Sequence, residues 1–154
     1  MRKYSSLFWY VALFMLVLLT DRATKIFALL NTSSDYYVTS FLKFDLLFNR
    51  GMSWGMFDSQ SSLIFFLVSL FICLVTVVIA FYAYARYKSG HSIVGETMVV
   101  AGSFSNILDR IFYGGVIDFI SIHVGAWSWP VFNIADACIV IGVIVISIGI
   151  WKQK

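Results

Sequence analysis

The chain has 154 residues, of which 60% are hydrophobic and 12% charged, with a single proline. That charged fraction is about half the usual share for a soluble domain and leaves too little polar surface to face water, so lipid is the expected solvent. The formal net charge of +3 reads as membrane topology and does not point to nucleic acid. Cys73 and Cys138 both fall in apolar segments, outside any disulfide or metal-ligand spacing, and only His91 and His123 are available as imidazoles. No metal and no other cofactor is expected.

Four apolar segments follow in chain order, at about residues 7–30, 61–85, 92–112 and 131–151. Each is close to the roughly 20 residues needed to cross ~30 Å of hydrocarbon. The apolar stretch that opens the first is long, has no small-residue cleavage site and runs directly into Asp21, Arg22 and Lys25 in the segment's far third, so it reads as a retained helix and not a cleaved leader. The second runs 25 residues without a charge, the third carries Glu96 and then Asp109-Arg110, and the fourth carries Asp136 alone. The whole chain reads as one membrane-embedded domain.

Basic residues set the expected orientation. Arg2 and Lys3 precede the first span, Arg86 and Lys88 join the second to the third, and Lys152 and Lys154 close the chain, with no acidic residue in those segments. Residues 31–60 hold Asp35, Asp45 and Asp58 against Lys43 and Arg50, and residues 113–130 hold Asp118. Both termini are therefore expected in the cytoplasm and the two longer connections outside. Trp9 and Trp151 would mark the inner boundary, with Trp54, Trp127 and Trp129 at the outer one. In the first outer connection Leu42, Phe44, Leu46 and Phe48 alternate at period two, which predicts a short strand with one apolar face in a small outer sheet. Gly51 and Gly55, with Trp54 and Phe57, suggest a turn dipping back into the interface.

Ionisable groups inside a span cost at least ~2.5 kcal/mol each at the bilayer centre, so their placement needs a reason. Asp21, Thr24 and Lys25 share a face near the outer end of the first helix, and Asp109 and Arg110 lie at the outer end of the third. Asp136 lies about 8 Å into the fourth, and Asp118 lies in the connection before it. Four aspartates thus reach one depth at one membrane face. Asn106-Ile-Leu-Asp109 and Asn133-Ile-Ala-Asp136 repeat an i, i+3 pairing that would set an amide and a carboxylate on one helix face. Gly95, Gly102 and Ser105 would let another helix approach the third closely. Two carboxyls sharing one proton can activate water without metal or histidine. Lys25 is the natural neutraliser of Asp21, and Arg110 of Asp109, whereas Asp118 and Asp136 have no base within four positions. The same placement also suits four structural anchors, or Asp109 as the partner of Asp136. A further alternative is a small transporter or proton conductor with a carboxylate relay, although that predicts acids spread through the membrane depth.

Four blocks carry a family resemblance: Asp21-Arg-Ala-Thr24-Lys25; Asn49-Arg-Gly51-Met-Ser53-Trp54; Asn106-Ile-Leu-Asp109-Arg110 with Val116-Ile-Asp118-Phe119; and Phe132-Asn133-Ile-Ala135-Asp136. In order and spacing they resemble lipoprotein signal peptidase, or signal peptidase II, over essentially the whole chain. The resemblance implies an aspartic endopeptidase of the bacterial inner membrane that removes signal peptides from diacylglyceryl-modified prolipoproteins at the lipobox cysteine. It implies Asp118 and Asp136 as the catalytic pair, with Asp21, Lys25, Asn49, Gly51, Asn106, Asp109, Arg110, Asn133 and Ala135 as the supporting and substrate-contacting shell. The expected partners are those substrates and membrane lipid, the protein acting as a monomer. Phe48, Met52, Ser105 and Ala137 depart from the family's usual residues, which bears on substrate preference more than on the reaction.

Overall fold

The computed structural model of the chain describes residues 2–31, 36–51, 59–125 and 127–151. Four long helices carry the mass: α1 (Arg2–Asn31), α2 (Ser62–Lys88), α3 (Val94–Tyr113) and α4 (Ile134–Trp151). Four strands complete it: β1 (Tyr36–Tyr37), β2 (Leu42–Asn49), β3 (Val116–Val124) and β4 (Trp127–Ser128). The expectations placed on Asp35, Met52, Ser53, Trp54, Gly55, Phe57, Asp58, Lys152 and Lys154 lie outside the described residues, as do those on the side chains of Arg2 and Lys3.

Helices α2 and α4 are long and apolar enough to cross a membrane, and little of either is buried inside the protein. Phe66, Leu74, Val78 and Phe81 of α2 and Val140, Ile144 and Ile148 of α4 stand exposed. Helices that keep such side chains on the outside are built for a hydrocarbon surround. Helix α3 is the hub, packing against α1, α2 and α4. Its small residues allow the closest approach: a Cβ on Gly102 would stand 2.6 Å from the Ala135 carbonyl oxygen, and one on Gly95 2.7 Å from that of Gly142. The small-residue face therefore receives α4. At the other end of the bundle Arg86 of α2 reaches Glu96 in the first turn of α3 at 2.8 Å.

The strands form a single antiparallel sheet in the order β1-β2-β3-β4. The expected strand is present as β2, but the sheet extends further than expected. Its longest strand, β3, comes from the connection between α3 and α4, which had read as a loop. Gly114, at φ 68°, ends α3 in the left-handed conformation, and β3 starts two residues later. The expected single apolar face of β2 is corrected as well. The register slips between Phe44 and Leu47, where Phe44 pairs with Ile120 and Leu47 with Asp118. This bulge reverses the alternation, and Phe48 ends 45% exposed. An isolated bridge joins Ile120 to Phe132, with the Ile120 N–H donating to the Phe132 carbonyl at 2.8 Å. That bridge fixes the start of α4 against β3, and so sets Asp136 relative to Asp118.

Candidate active site

All the residues singled out as site residues gather where the C-terminal parts of α1 and α3, the start of α4 and the strands β2 and β3 meet. Two layers are distinguishable. The deeper one is an ion cluster. Lys25, 1% exposed, donates to Asp21 Oδ2 at 2.8 Å, Asp109 Oδ2 at 2.7 Å and Asn106 Oδ1 at 2.8 Å. Three acceptors meet the three N–H bonds of an ammonium, which is how a buried lysine keeps its charge. Arg22 completes the cluster through Asp109 Oδ1 at 2.7 Å, Asp21 Oδ2 at 3.3 Å and Ser105 Oγ at 2.9 Å. Two carboxylates and two cations cancel. Asp21 also ties three helices together, since Ser105 Oγ donates to it at 2.6 Å and the Ala135 N–H at 2.9 Å. That last contact puts a carboxylate on the amino end of α4, where the helix dipole favours it. Ala135 is fully buried there, its carbonyl packed against Gly102 of α3.

The upper layer holds the other two aspartates. Asp136 Oδ1 accepts from Asn106 Nδ2 at 2.8 Å. Asn133 precedes α4 and caps it: its Oδ1 accepts the Asp136 N–H at 2.9 Å, while Asp136 Oδ2 accepts the Asn133 N–H at 3.4 Å. This is a reciprocal capping box, so the expected shared helix face is corrected for this pair: Asn133 is the cap, outside the helix. Asp118 Oδ1 accepts from Asn133 Nδ2 at 2.6 Å and its Oδ2 from Asn49 Nδ2 at 3.0 Å. Asn49 is itself fixed, its Oδ1 accepting the Gly51 N–H at 2.9 Å. Asp118 rides on the buried strand β3 and is 1% exposed. Burial first, and then the charge of Asp136, push its carboxyl up to about 7.

Both carboxyls border a cavity of about 310 Å³ whose apolar wall includes Trp129, Val131, Val140 and Ile141. They also border a smaller, more polar one of about 140 Å³, shared with Asn49, Asn106 and Arg110. Among the described residues neither carboxyl is ion-paired. Two acids held by amides at the edge of one cavity can share a proton and hold a water between them.

Two expectations about the shell change. Arg110 does not neutralise Asp109, because neighbours on a helix point about 100° apart. Its guanidinium instead donates to the carbonyls of Arg50 and Gly51 and lies over the Phe65 ring. Arg22 and Ser105 belong to the ion cluster and were not among the expected site residues. The signal was available for Arg22, a cation beside Asp21 that needed a partner inside lipid.

The signal peptidase (SPase) II family profile matches residues 13–152. The chain belongs to the signal peptidase II family. It is 37% identical over 131 residues to the lipoprotein signal peptidase of Thermodesulfovibrio yellowstonii, covering 84% of this chain and 85% of that protein. With that of Clostridium novyi it shares 36% over 140 residues, 88% and 93% of the two chains. A bacterial membrane enzyme solved by the in meso method at 2.3 Å superposes with a TM-score of 0.74 at 25% identity, covering 94% of this chain and 88% of that one. The function is accordingly that of a signal peptidase II, a membrane protease of lipoprotein processing, and these relatives lend no support to a transporter.

Proposed function

We propose that the chain is an aspartic endopeptidase of the bacterial cytoplasmic membrane, working as a monomer, that removes the signal peptide from diacylglyceryl-modified prolipoproteins at the lipobox cysteine, with Asp118 and Asp136 as the catalytic pair. One observation carries the assignment: these two carboxyls border the same cavity, each held by an asparagine amide and neither ion-paired among the described residues. Asp109 fits the role less well, because Arg22 and Lys25 occupy both its oxygens. One carboxyl takes a proton from the bound water while the other donates to the scissile carbonyl, and the pair exchanges roles as the tetrahedral intermediate collapses. The apolar wall of the larger cavity suits an acyl-bearing substrate entering sideways from lipid, and the reaction calls for no nucleic acid.

Four spans, with both termini in the cytoplasm and the site near the outer face, complete the proposal. At 1.5 Å per residue, α1 is about 45 Å long and α3 about 30 Å, enough for each to cross. Their charges neutralise one another inside the bundle, which makes them compatible with lipid despite Asp21, Arg22, Lys25 and Asp109. The test is cleavage of a diacylglyceryl-modified prolipoprotein peptide by the purified full chain, beside Asp118→Asn and Asp136→Asn. Cleavage by the native chain and its loss in both variants is expected. An active Asp118→Asn with an inactive Asp109→Asn would move the pairing to Asp109.

A further inference from the structure

The two ends of an asparagine amide are not interchangeable, since one only accepts and the other only donates. Two such amides hold Asp136, and their orientations are dictated differently. Asn133 is fixed by the backbone, because its Oδ1 meets the Asp136 N–H at 2.9 Å. Asn106 has no backbone partner among the described residues. Its Oδ1 receives Lys25 Nζ at 2.8 Å and Asn133 Nδ2 at 3.2 Å, and its Nδ2 donates to Asp136 Oδ1 at 2.8 Å. Turning this amide over would aim an NH₂ at an ammonium that can only donate and would leave Asp136 facing an oxygen. Lys25 and Asn133 Nδ2 both oppose that turn, and Lys25, charged and closer at 2.8 Å against 3.2 Å, opposes it more strongly. Arg22 cannot substitute, as its guanidinium is spent on Asp21, Asp109 and Ser105.

We propose that Lys25 is a positioning residue for hydrolysis: by donating to Asn106 Oδ1 it locks the amide so that Nδ2 holds Asp136 against the reacting water. The lock rests on the Asp118–Asp136 reading given above. The charge of Lys25 also acts on the pair. The groups whose charges or hydrogen bonds act on Asp118 are Asp136 from α4, Lys25 from α1, Arg110 from α3, Asn49 from β2 and Asn133 from the turn before α4. Lys25 and Arg110 are the cations among them, and both favour the ionised form. Removing Lys25 leaves Arg110 alone in that role and shifts the pH window in which the pair holds a single proton upward.

The experiment uses the full chain in lipid nanodiscs with a diacylglyceryl-modified prolipoprotein peptide, comparing Lys25→Met, Asn106→Ala and the double variant. For Lys25→Met, kcat falls by about 100-fold, the scale of a misplaced reacting group, while KM stays near native and the pH window moves up. The double variant is no slower than Asn106→Ala, because both changes break one chain of contacts. Native kcat and pH window in Lys25→Met, or a double variant slowed by the product of the single effects, would overturn the lock. Should Lys25→Met not fold, Lys25→Met with Asp109→Asn keeps the buried cluster neutral and is read by the same outcomes. A native chain that cuts nothing would fail the peptidase reading alone. The lock is then judged by the infrared band of the Asp136 carboxyl: Lys25→Met and Asn106→Ala both remove the shift caused by the Asn106 Nδ2 hydrogen bond if it holds, and only Asn106→Ala does if it does not.

Discussion

Replacing Gly102 by alanine puts one methyl group at the tightest point between α3 and α4. The new carbon would lie 2.6 Å from the Ala135 carbonyl oxygen and 2.9 Å from Ile139 Cγ1. The isoleucine tip can turn away, but the carbonyl is main chain, and reaching an ordinary 3.4 Å contact requires α4 to back off by roughly 0.8 Å. Ala135 is also where Asp21 grips the helix, and Asp136 is the next residue. Overpacking of this kind costs about 1–3 kcal/mol of stability, and displacing a reacting carboxyl by nearly an ångström costs on the order of 100-fold in kcat. Gly95→Ala is the control. It meets the Gly142 carbonyl at a similar 2.7 Å, yet lies about 10 Å further along α3 from the site. The two variants should lose similar stability in thermal melts, while in peptide cleavage Gly102→Ala loses far more kcat. Equal activity losses, or native activity in Gly102→Ala, would refute the idea that this contact sets the position of Asp136.

Four further outcomes follow from contacts already described. With Asp118 titrating near 7, cleavage should decline as pH rises through 7 and the shared proton is lost. The same raised value makes the folded state bind a proton that the unfolded chain has released, so stability drains away between about pH 4 and 7. Asp118→Asn should therefore melt higher than the native chain at pH 8 and lose that advantage near pH 4. Arg86→Met strands the buried Glu96 carboxylate and should destabilise by about 3 kcal/mol, with added Glu96→Gln recovering part of the loss in the same melts. Asn49→Ala removes one of the two amides on Asp118 and should slow kcat about tenfold or more, with little change in melting.

Much of this site could be read from the sequence because charge inside an apolar span needs a partner. Asp21 and Lys25, one turn apart, do pair, and the aspartates do converge at one end. What failed was proximity along the chain as a guide to proximity in space. Arg110 adjoins Asp109 but faces the strand side, and the cations on Asp109 are Arg22 and Lys25 from another helix, which no local spacing reveals. The strand β3 was missed although Val116, Ile117, Ile120, Ile122 and Val124 give it the β-branched character of one; Asp118 and His123 obscured the pattern. In β2 the bulge shifts the phase of the alternation, and a one-residue slip of that kind leaves no trace in composition. The second amide–acid pair misled for a similar reason, since a capping box and a helical i, i+3 pair have the same spacing.

That capping box has a consequence for which acid can occupy position 136. Glutamate is the customary acid three places beyond a helix cap, and it would close the box at least as well. It would also carry the carboxyl one methylene away from the water that the proposed mechanism has it share with Asp118. Aspartate is the compromise: long enough to reach back to the Asn133 N–H, and short enough to stay opposite its neighbour. Asparagine there keeps an oxygen for the cap but turns an NH₂ toward Asn106 Nδ2 and removes the proton chemistry, whereas alanine gives up the bond to the Asn133 N–H as well. With Asp136 in the proposed pair, position 136 tolerates almost no drift, because a change that spares the helix spoils the chemistry and a smaller side chain weakens the cap as well.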